Sequence, residues 1–249
     1  MKPIDLFRVG FWHSPPPPWY NAVPALTAVH AFDALAFTTA GEQKFTDRAG
    51  SVRTLTPIGS ADFGARTVNS GLQVVASSGL SYGLQLSGVR IAPANESVLV
   101  FFSRYNSPAT GKGIIGWANP DTPGGGASVS YFTGEFNDAA PFAPGGIIAA
   151  PSSVARNVLG NYTPTGAPLF LALAFSGGYV RAYANGGWIG SAISKSSVPT
   201  TADRVGWYSN TLFALKSTDH FIAASYHTGT ATLADIQALE AACRAELSL

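Results

Sequence analysis

The feature that most restricts the fold of this chain is a succession of short apolar runs separated by turn-forming residues. The chain has 27 glycines and 17 prolines among its 249 residues, and many of them stand between these runs. Short strands bounded by Gly, Pro and Asn turns are typical of antiparallel sandwiches and jelly rolls. The spacing predicts an all-β, two-sheet jelly roll with strands near 72–76, 82–86, 97–105, 113–118, 127–133, 145–150, 169–176, 179–185, 187–194, 203–209 and 220–227.

One stretch carries the clearest local signals. Residues 169–175 are apolar on both faces, which predicts a central strand covered on both sides. Ser176-Gly177-Gly178 then turns the chain into an alternating segment, 179–184. Asn185-Gly186 follows, and this pair fits a type I′ turn because both central residues of that turn need a positive φ. We therefore expect a hairpin here.

The C-terminal segment predicts a helix over residues 232–246. Thr232 with Asp235 three residues later reads as a capping box. Ile236, Leu239 and Cys243 fall on one stripe at helical spacing, so we expect this single cysteine to be a buried small hydrophobe. By contrast, the alanine-rich residues 22–37 are ambiguous between a short helix and a first strand.

Charge and cysteine content exclude several classes of protein. Charged residues make up 12% of the chain and the formal net charge is +1, so nothing favours binding to nucleic acid or to an acidic membrane. One cysteine excludes an intrachain disulfide and a cysteine-based zinc site. Neither a signal peptide nor a membrane-spanning run is evident. We expect synthesis in the cytoplasm and a final location in a virion or outside the cell.

The N-terminal segment differs from the rest of the chain. Residues 1–24 contain four consecutive prolines, which favour an extended polyproline II arm. We divide the chain into this arm and a jelly-roll domain, 25–249. The arm either packs along its own domain or docks onto a neighbouring subunit, and the second alternative predicts a homo-oligomer. The expected partner-binding residues are the aromatics of the arm: Phe11, Trp12, Trp19 and Tyr20.

Several motifs together resemble a known family. The resemblance rests on Tyr183-Ala184-Asn185-Gly186, on Arg204-Val205-Gly206-Trp207 and on the closing helix that begins with Thr232-Leu233. This pattern is similar to the laminin-G-like branch of the concanavalin A-like lectin/glucanase jelly rolls. The resemblance implies a two-sheet sandwich with one curved face. It implies no single function, because this fold serves lectins, glycanases, adhesion modules and viral structural proteins.

Catalytic motifs lack the context that they need. Gly79–Gly83 matches G-x-S-x-G and Gly111–Gly116 matches G-x-G-x-x-G, but no helix pattern follows either one. Glycanases of the resembled fold carry two glutamates four residues apart, a spacing that is absent here. Glu135 and Asp138 form the nearest acidic pair, with a calcium site or solvated charges as the alternatives to catalysis. We therefore expect no catalytic residue, no resident metal and no cofactor. The alternative is a calcium ion at this acidic pair.

Aromatic residues are the candidates for ligand binding. Sugar rings stack on flat aromatic faces, although the same residues also fill sandwich cores. Arg181 and Tyr183 lie on the polar face of their strand and are the first candidates. The expected ligand-binding residues are Arg181, Tyr183, Trp117, Tyr131 and Trp207.

Two functions follow from these observations. The sequence favours a non-enzymatic structural or interaction module of a larger assembly, such as a bacteriophage virion surface, decoration or tail protein. The arm and the missing catalytic pair support this interpretation. The alternative is a glycan-binding lectin or adhesin module, whose partner would be a cell-surface glycan.

Overall fold

Two antiparallel sheets lie face to face in the computed structural model of the protein. The structure describes residues 16–38, 43–57, 62–67, 71–76, 82–104, 113–120, 129–131, 134–137, 146–149, 160–162, 167–197, 201–202, 204–209 and 220–249. In chain order the strands are β1 (Thr27–Asp33), β2 (Phe37–Thr38), β3 (Lys44–Thr46), β4 (Thr54–Pro57), β5 (Asp62–Thr67), β6 (Gly71–Ala76), β7 (Tyr82–Leu86), β8 (Ser97–Arg104), β9 (Gly113–Pro120), β10 (Val129–Tyr131), β11 (Gly134–Asn137), β12 (Gly146–Ala149), β13 (Gly160–Tyr162), β14 (Pro168–Ser176), β15 (Tyr179–Ala184), β16 (Gly187–Ser194), β17 (Arg204–Ser209) and β18 (His220–Thr228).

The first sheet has the order β16-β15-β14-β8-β18-β6-β5, with β1 also paired to β18. The second sheet has the order β13-β12-β11-β9-β17-β7-β4-β3-β2, with β10 paired to β9. The one α-helix of the described residues, α1 (Leu233–Leu247), follows β18 directly. The predicted fold class, an all-β two-sheet sandwich with a C-terminal helix, is confirmed.

Each sheet contributes one face to the sandwich core. Phe101, Leu171 and Phe221 of the first sheet meet Phe45 and Trp117 of the second, and all five side chains are buried. The interior strands of the first sheet are buried on their other face too. Along β14 every residue between the two ends is buried, as its apolar sequence predicts.

A third layer covers the outer face of the first sheet. The helix α1 packs Ile236, Leu239 and Cys243 onto this face, as its helical stripe predicts. The predicted capping box is present, because Thr232 accepts from the Asp235 N–H and the Asp235 carboxylate accepts from the Thr232 N–H. The helix and the segment around Trp19 therefore make the first sheet the middle layer of the molecule.

The hairpin β15–β16 turns at the predicted residues. Asn185 has φ +36° and Gly186 has φ +93°, the positive values that this tight turn requires. The register is set by the turn, and it places Trp188 directly opposite Tyr183. The alanine-rich segment, whose sequence was ambiguous, contains the strand β1, which pairs with β18.

Candidate functional site

A groove opens on the outer face of the first sheet, beside the N-terminus of α1. Its volume is about 190 Å³. We call it the outer groove, and it is lined by Ala174 and Ser176 of β14, by Tyr179, Val180 and Arg181 of β15, by Trp188 and Ala192 of β16, and by Ala231 just before the helix.

The alternation of β15 explains which side chains reach this groove. Val180 and Ala182 point into the sandwich core, so the residues that alternate with them along the strand face outward. Tyr179 is 58% exposed and Arg181 is exposed, whereas Tyr183 on the same face is fully buried. The difference arises because α1 covers the middle of the sheet and begins only at Leu233, which leaves this end of the face open.

An irregularity in β16 lies directly opposite Arg181. Val180 pairs with Ile193 and Ala182 pairs with Ile189, so residues 190–192 of β16 oppose the single residue Arg181. Gly190 accommodates this bulge with φ +64°. Bulges bend the strand that carries them and are over-represented next to binding and active sites. Here the bulge brings Ala192 to the wall of the groove.

The cation of the groove is held by an aromatic ring. The guanidinium carbon of Arg181 lies 4.9 Å from the centre of the Trp188 ring. This is the distance of a cation–π contact. Trp188 packs in turn edge-to-face against Tyr183, with ring centres 6.1 Å apart. Arg181 has no carboxylate partner within the part of the chain that the structure describes.

Tyr183, one of the predicted ligand-binding residues, also has a structural role. Its hydroxyl donates to the Glu240 carboxylate of α1 and accepts from the Gly186 N–H at 2.7 Å. Burial and the neighbouring Glu240 raise the pKa of the Tyr183 hydroxyl. The Tyr183 ring is fully buried beneath α1, while the residue also borders an open cavity beside the hairpin turn, so its assignment as a ligand-binding residue stays a prediction. Tyr183 ties the hairpin to the helix.

An ion pair within α1 strengthens the same connection. Arg244 Nε donates to the Glu240 carboxylate at 2.8 Å, and Arg244 Nη2 donates to the side-chain oxygen of Asn185 at 3.0 Å. Gln237 donates to the Gly186 carbonyl at 2.7 Å. These contacts fix the hairpin turn against the helix, and they thereby fix the position of Trp188 two residues further on.

Trp117, another predicted ligand-binding residue, lies in the core. It is fully buried between the two sheets, and its Nε1 donates to the Val100 carbonyl at 2.8 Å. Such a side chain belongs to the core and cannot stack on a ligand. Tyr131 and Trp207 lie on β10 and β17, of which the structure describes only the backbone at these positions, so their assignment as binding residues stays a prediction.

The aromatic residues of the N-terminal arm divide into two groups. Trp19 is fully buried and Tyr20 is 7% exposed, both in the layer that contains α1. The prediction that these two side chains bind a neighbouring subunit is therefore wrong, because they pack on their own domain. Phe11 and Trp12 lie outside the described residues, so their partner-binding role stays a prediction, as does the boundary between residues 24 and 25.

The two aromatic residues of the groove, Tyr179 and Trp188, were not among the predicted binding residues. A signal for both was present in the sequence. A two-residue turn at Asn185-Gly186 requires residue 183 to pair with residue 188, which places Trp188 on the outward face with Arg181. Tyr179 is two residues before Arg181 and therefore shares that face.

Other polar clusters of the described residues are less open to a ligand. Ser225 Oγ lies 2.8 Å from His227 Nε2, but both side chains are fully buried. Asp47 accepts from the N–H groups of Ala31 and Ala49 and contacts His30, and these hydrogen bonds lower the pKa of its carboxyl against the opposing effect of burial. Both clusters stabilise the fold around them.

Side chains that could bind a metal ion do not cluster in the described ranges. No group of three or more His, Cys, Asp or Glu residues there could hold such an ion. The predicted alternative of a calcium ion between Glu135 and Asp138 stays a prediction, since Asp138 lies outside those ranges. No helix in the described part of the chain is long and apolar enough to cross a membrane.

The fold with its outer groove belongs to the class of antiparallel β-sandwiches. No protein-family description and no curated protein matches the chain by sequence. Among solved structures, the chain is similar to Trypanosoma rangeli sialidase in complex with sialic acid, with a TM-score of 0.56 and 12% identity. This match covers 88% of the chain and 33% of the sialidase.

A toxin domain shares the same fold. The Botulinum neurotoxin serotype D binding domain matches with a TM-score of 0.52 and 11% identity, over 90% of this chain and 52% of that domain. The same domain in complex with N-acetylneuraminic acid matches with a TM-score of 0.51 and 10% identity. The chain thus spans about a third to a half of the structures that it matches, and at such identities the likeness shows the fold alone.

These comparisons correct one prediction. The prediction that the chain is not an enzyme is wrong, because several of the structures that share its fold are sialidases, which are enzymes. The sequence argument considered two short motifs, the glutamate spacing of glycanases and one acidic pair, which are only some of the catalytic arrangements that proteins use. Nothing in the matches supports the laminin-G-like branch or a bacteriophage origin.

Proposed function

We propose that the protein is a carbohydrate-binding module that holds a sugar in the outer groove. The observation that carries the proposal is the arrangement of Tyr179, Trp188 and Arg181 on the part of the sheet that α1 leaves open. Two aromatic side chains and one cation therefore converge on a single depression of the surface. This is the composition of a small-molecule site, an apolar surface with a few placed polar groups.

The chemistry of the groove suits a sugar ring. A pyranose ring presents C–H groups on its faces and hydroxyl groups at its edge, so it packs on an aromatic side chain while it hydrogen-bonds around the rim. Tyr179 supplies an exposed ring, Ala174 and Ala231 supply small apolar contacts, and Ser176 and Arg181 supply polar groups. These residues provide both kinds of contact.

The size of the groove limits the ligand. Its volume of about 190 Å³ is below the range of roughly 300–1,000 Å³ that is usual for pockets of drug-sized ligands. One sugar residue, with the rest of the glycan in solvent, therefore fits better than a chain of several. A terminal residue of a branched or linear glycan is the ligand that this geometry favours.

The fold comparisons support carbohydrate binding as a class of function. A neurotoxin binding domain with this fold has been solved with N-acetylneuraminic acid, and the similar sialidase has been solved with sialic acid. Sialylated glycans therefore belong among the first probes. The assembly role that the sequence favoured has lost part of its support, because Trp19 and Tyr20 are buried within their own domain.

Binding of the full chain to a glycan array tests the proposal. We expect one or more glycans to bind and Tyr179→Ala to weaken that binding about tenfold, which corresponds to about 1.4 kcal/mol of lost stacking. The measurement is isothermal titration calorimetry with a glycan found on the array. The melting temperature should change little, because Tyr179 is 58% exposed.

Val52→Ala is the matched control, since Val52 is 93% exposed and does not line the groove. Its affinity should equal that of the wild type. An array without any bound glycan, or an affinity that Tyr179→Ala leaves unchanged, would contradict the proposal.

A further inference from the structure

We propose that the sugar accepted by the outer groove is an acidic one, and that its carboxylate binds the guanidinium of Arg181. This inference rests on the proposed carbohydrate-binding function and adds the chemical class of the ligand. It follows from the charges around the groove, from the support behind Arg181 and from the position of Glu96 beside the groove.

Two other arginines of the described residues are paired with carboxylates, whereas Arg181 is not. Arg48 binds Asp33 and Glu246, each at 2.6 Å, and Arg244 binds Glu240 at 2.7 Å. Arg181, in contrast, has the face of Trp188 as its contact and no acidic partner among the residues that the structure describes. Its positive charge is therefore left available at the groove.

The position of this cation is set before a ligand arrives. The guanidinium lies on the Trp188 ring, Trp188 packs on the edge of Tyr183, and the Tyr183 hydroxyl is bound to Glu240 of the helix. A guanidinium that stacks on a ring keeps its N–H groups free at its edge. A carboxylate that approaches in the plane of the guanidinium can accept two parallel hydrogen bonds from it.

Glu96 is a carboxylate beside the groove, and it influences which way such a ligand lies. Glu96 accepts from the Gly177 N–H at 2.8 Å and from the Thr230 hydroxyl at 3.0 Å, and Thr230 adjoins Ala231 of the groove wall. The hydrogen bond from Gly177, followed by those from Ser176 and Thr230, lowers the pKa of the Glu96 carboxyl, which is therefore ionised at neutral pH.

Glu96 is thus satisfied by its own donors and does not neutralise Arg181. Its negative charge lies toward Ser176, which lines the groove, while the positive charge lies at Arg181. A ligand carboxylate is attracted to Arg181, and the charge of Glu96, which Lys195 offsets in part, makes the other end less favourable for it. The groove therefore favours an acidic ligand whose carboxylate lies at Arg181 and whose hydroxyls lie toward Ser176.

The experiment compares matched acidic and neutral sugars. The probes are sialyllactose with lactose, and methyl glucuronide with methyl glucoside, each titrated into the full chain by calorimetry or by NMR. We expect the acidic member of at least one pair to bind about tenfold more tightly, which is the effect of one ion pair that a bidentate geometry makes favourable. The pair that shows the difference identifies the source of the carboxylate, a sialic acid or a uronic acid.

Variants at position 181 assign the preference to its residue. Arg181→Gln should bind the acidic and the neutral member equally. Arg181→Lys should retain only part of the preference, because a lysine keeps the charge and loses the planar fork. Lys44→Gln is the control, since it removes the same charge from β3, outside the groove, and should leave the preference as it is in the wild type.

The possible failures differ from one another. If neutral and acidic sugars bind the wild type equally, or if Lys44→Gln and Arg181→Gln reduce the preference by the same factor, the inference is overturned while carbohydrate binding stands. If none of these probes and no glycan of the array binds, both the inference and the proposed function are overturned.

Discussion

His227 is a titratable residue whose side chain is fully buried. It lies on β18 beneath Trp19, whose ring centre is 6.4 Å away, and Ser225 Oγ lies 2.8 Å from its Nε2. Its Nδ1 is buried and has no hydrogen-bond partner within the described ranges. This burial lowers the pKa of His227 from its ordinary value of 6.5 to about 4. The side chain is therefore neutral in the folded protein at neutral pH.

This pKa predicts a loss of stability in weak acid. Between pH 6.5 and about 4 the unfolded chain binds a proton at His227 and the folded chain does not, so the free energy of unfolding falls as the pH is lowered through this window. The expected loss from this residue is about 3 kcal/mol. Urea denaturation at pH 7 and at the lower end of the window measures it.

His227→Gln is the control for this prediction. The amide can still bond to Ser225 but does not titrate, so the variant should lose about 3 kcal/mol less than the wild type over the same window. The carboxyl of Asp47, whose pKa is lowered, contributes stability that is lost only at still lower pH. Equal losses in the wild type and in His227→Gln would refute the assignment to His227.

At the scale of elements, the segment that contains Trp19 is an integral part of the third layer. The backbone N–H of Trp19 donates to Glu246 at 2.6 Å, and its indole Nε1 donates to Asp33 at 2.8 Å. The Tyr20 hydroxyl donates to the Arg48 carbonyl at 2.7 Å. A segment held by its side chains and by its backbone contributes to the stability of its own domain.

Trp19→Ala should therefore lower the free energy of unfolding by about 3–5 kcal/mol, because it leaves a large cavity and removes the donor to Asp33. Deletion of residues 1–20 should lower the melting temperature in the same way. The measurement is thermal denaturation followed by circular dichroism, with the exposed Val52→Ala as the control. A truncated chain that melts like the full one would show that the segment is dispensable and would restore the interpretation as a docking arm.

At the scale of the whole molecule, one arginine connects distant parts of the chain. Arg48 binds Asp33 at the end of β1 and Glu246 near the end of α1, each at 2.6 Å, and its guanidinium lies 5.4 Å from the centre of the Tyr20 ring. The attraction of Asp33 and of Glu246 raises the pKa of Arg48 in spite of its partial burial. The N-terminal segment, the first sheet and the helix meet at this residue.

Arg48→Met should cost about 3 kcal/mol, because it leaves the fully buried Asp33 without its cation. Arg53→Met is the matched control, since the Arg53 side chain donates one hydrogen bond, of 3.3 Å, to the Ser87 carbonyl, and its loss should cost less than about 1 kcal/mol. Chemical denaturation measures both variants. A loss in Arg48→Met no larger than that in Arg53→Met would mean that the three parts are held together without this residue.

Some features of this protein follow from short stretches of its sequence. The apolar run of β14, the positive φ values at Asn185-Gly186 and the capping box at Thr232 were all predicted, and each depends on residues only a few positions apart. Turn geometry, helix capping and strand alternation are local properties of the backbone and its nearest side chains. They sufficed for the fold class and for the outward face of Arg181.

Other features depend on elements that are far apart in the chain. Tyr183 and Arg181 share one face of β15, and only the position of α1, more than fifty residues later, decides that the first is buried and the second open. From its sequence context, Trp19 was predicted to bind a neighbouring subunit. In the structure it is hydrogen-bonded to Asp33 and Glu246 of its own domain. Alternation along a strand determines which side chains share a face, but their burial depends on which other elements cover that face. The tertiary structure alone decided this, and with it the place of the groove.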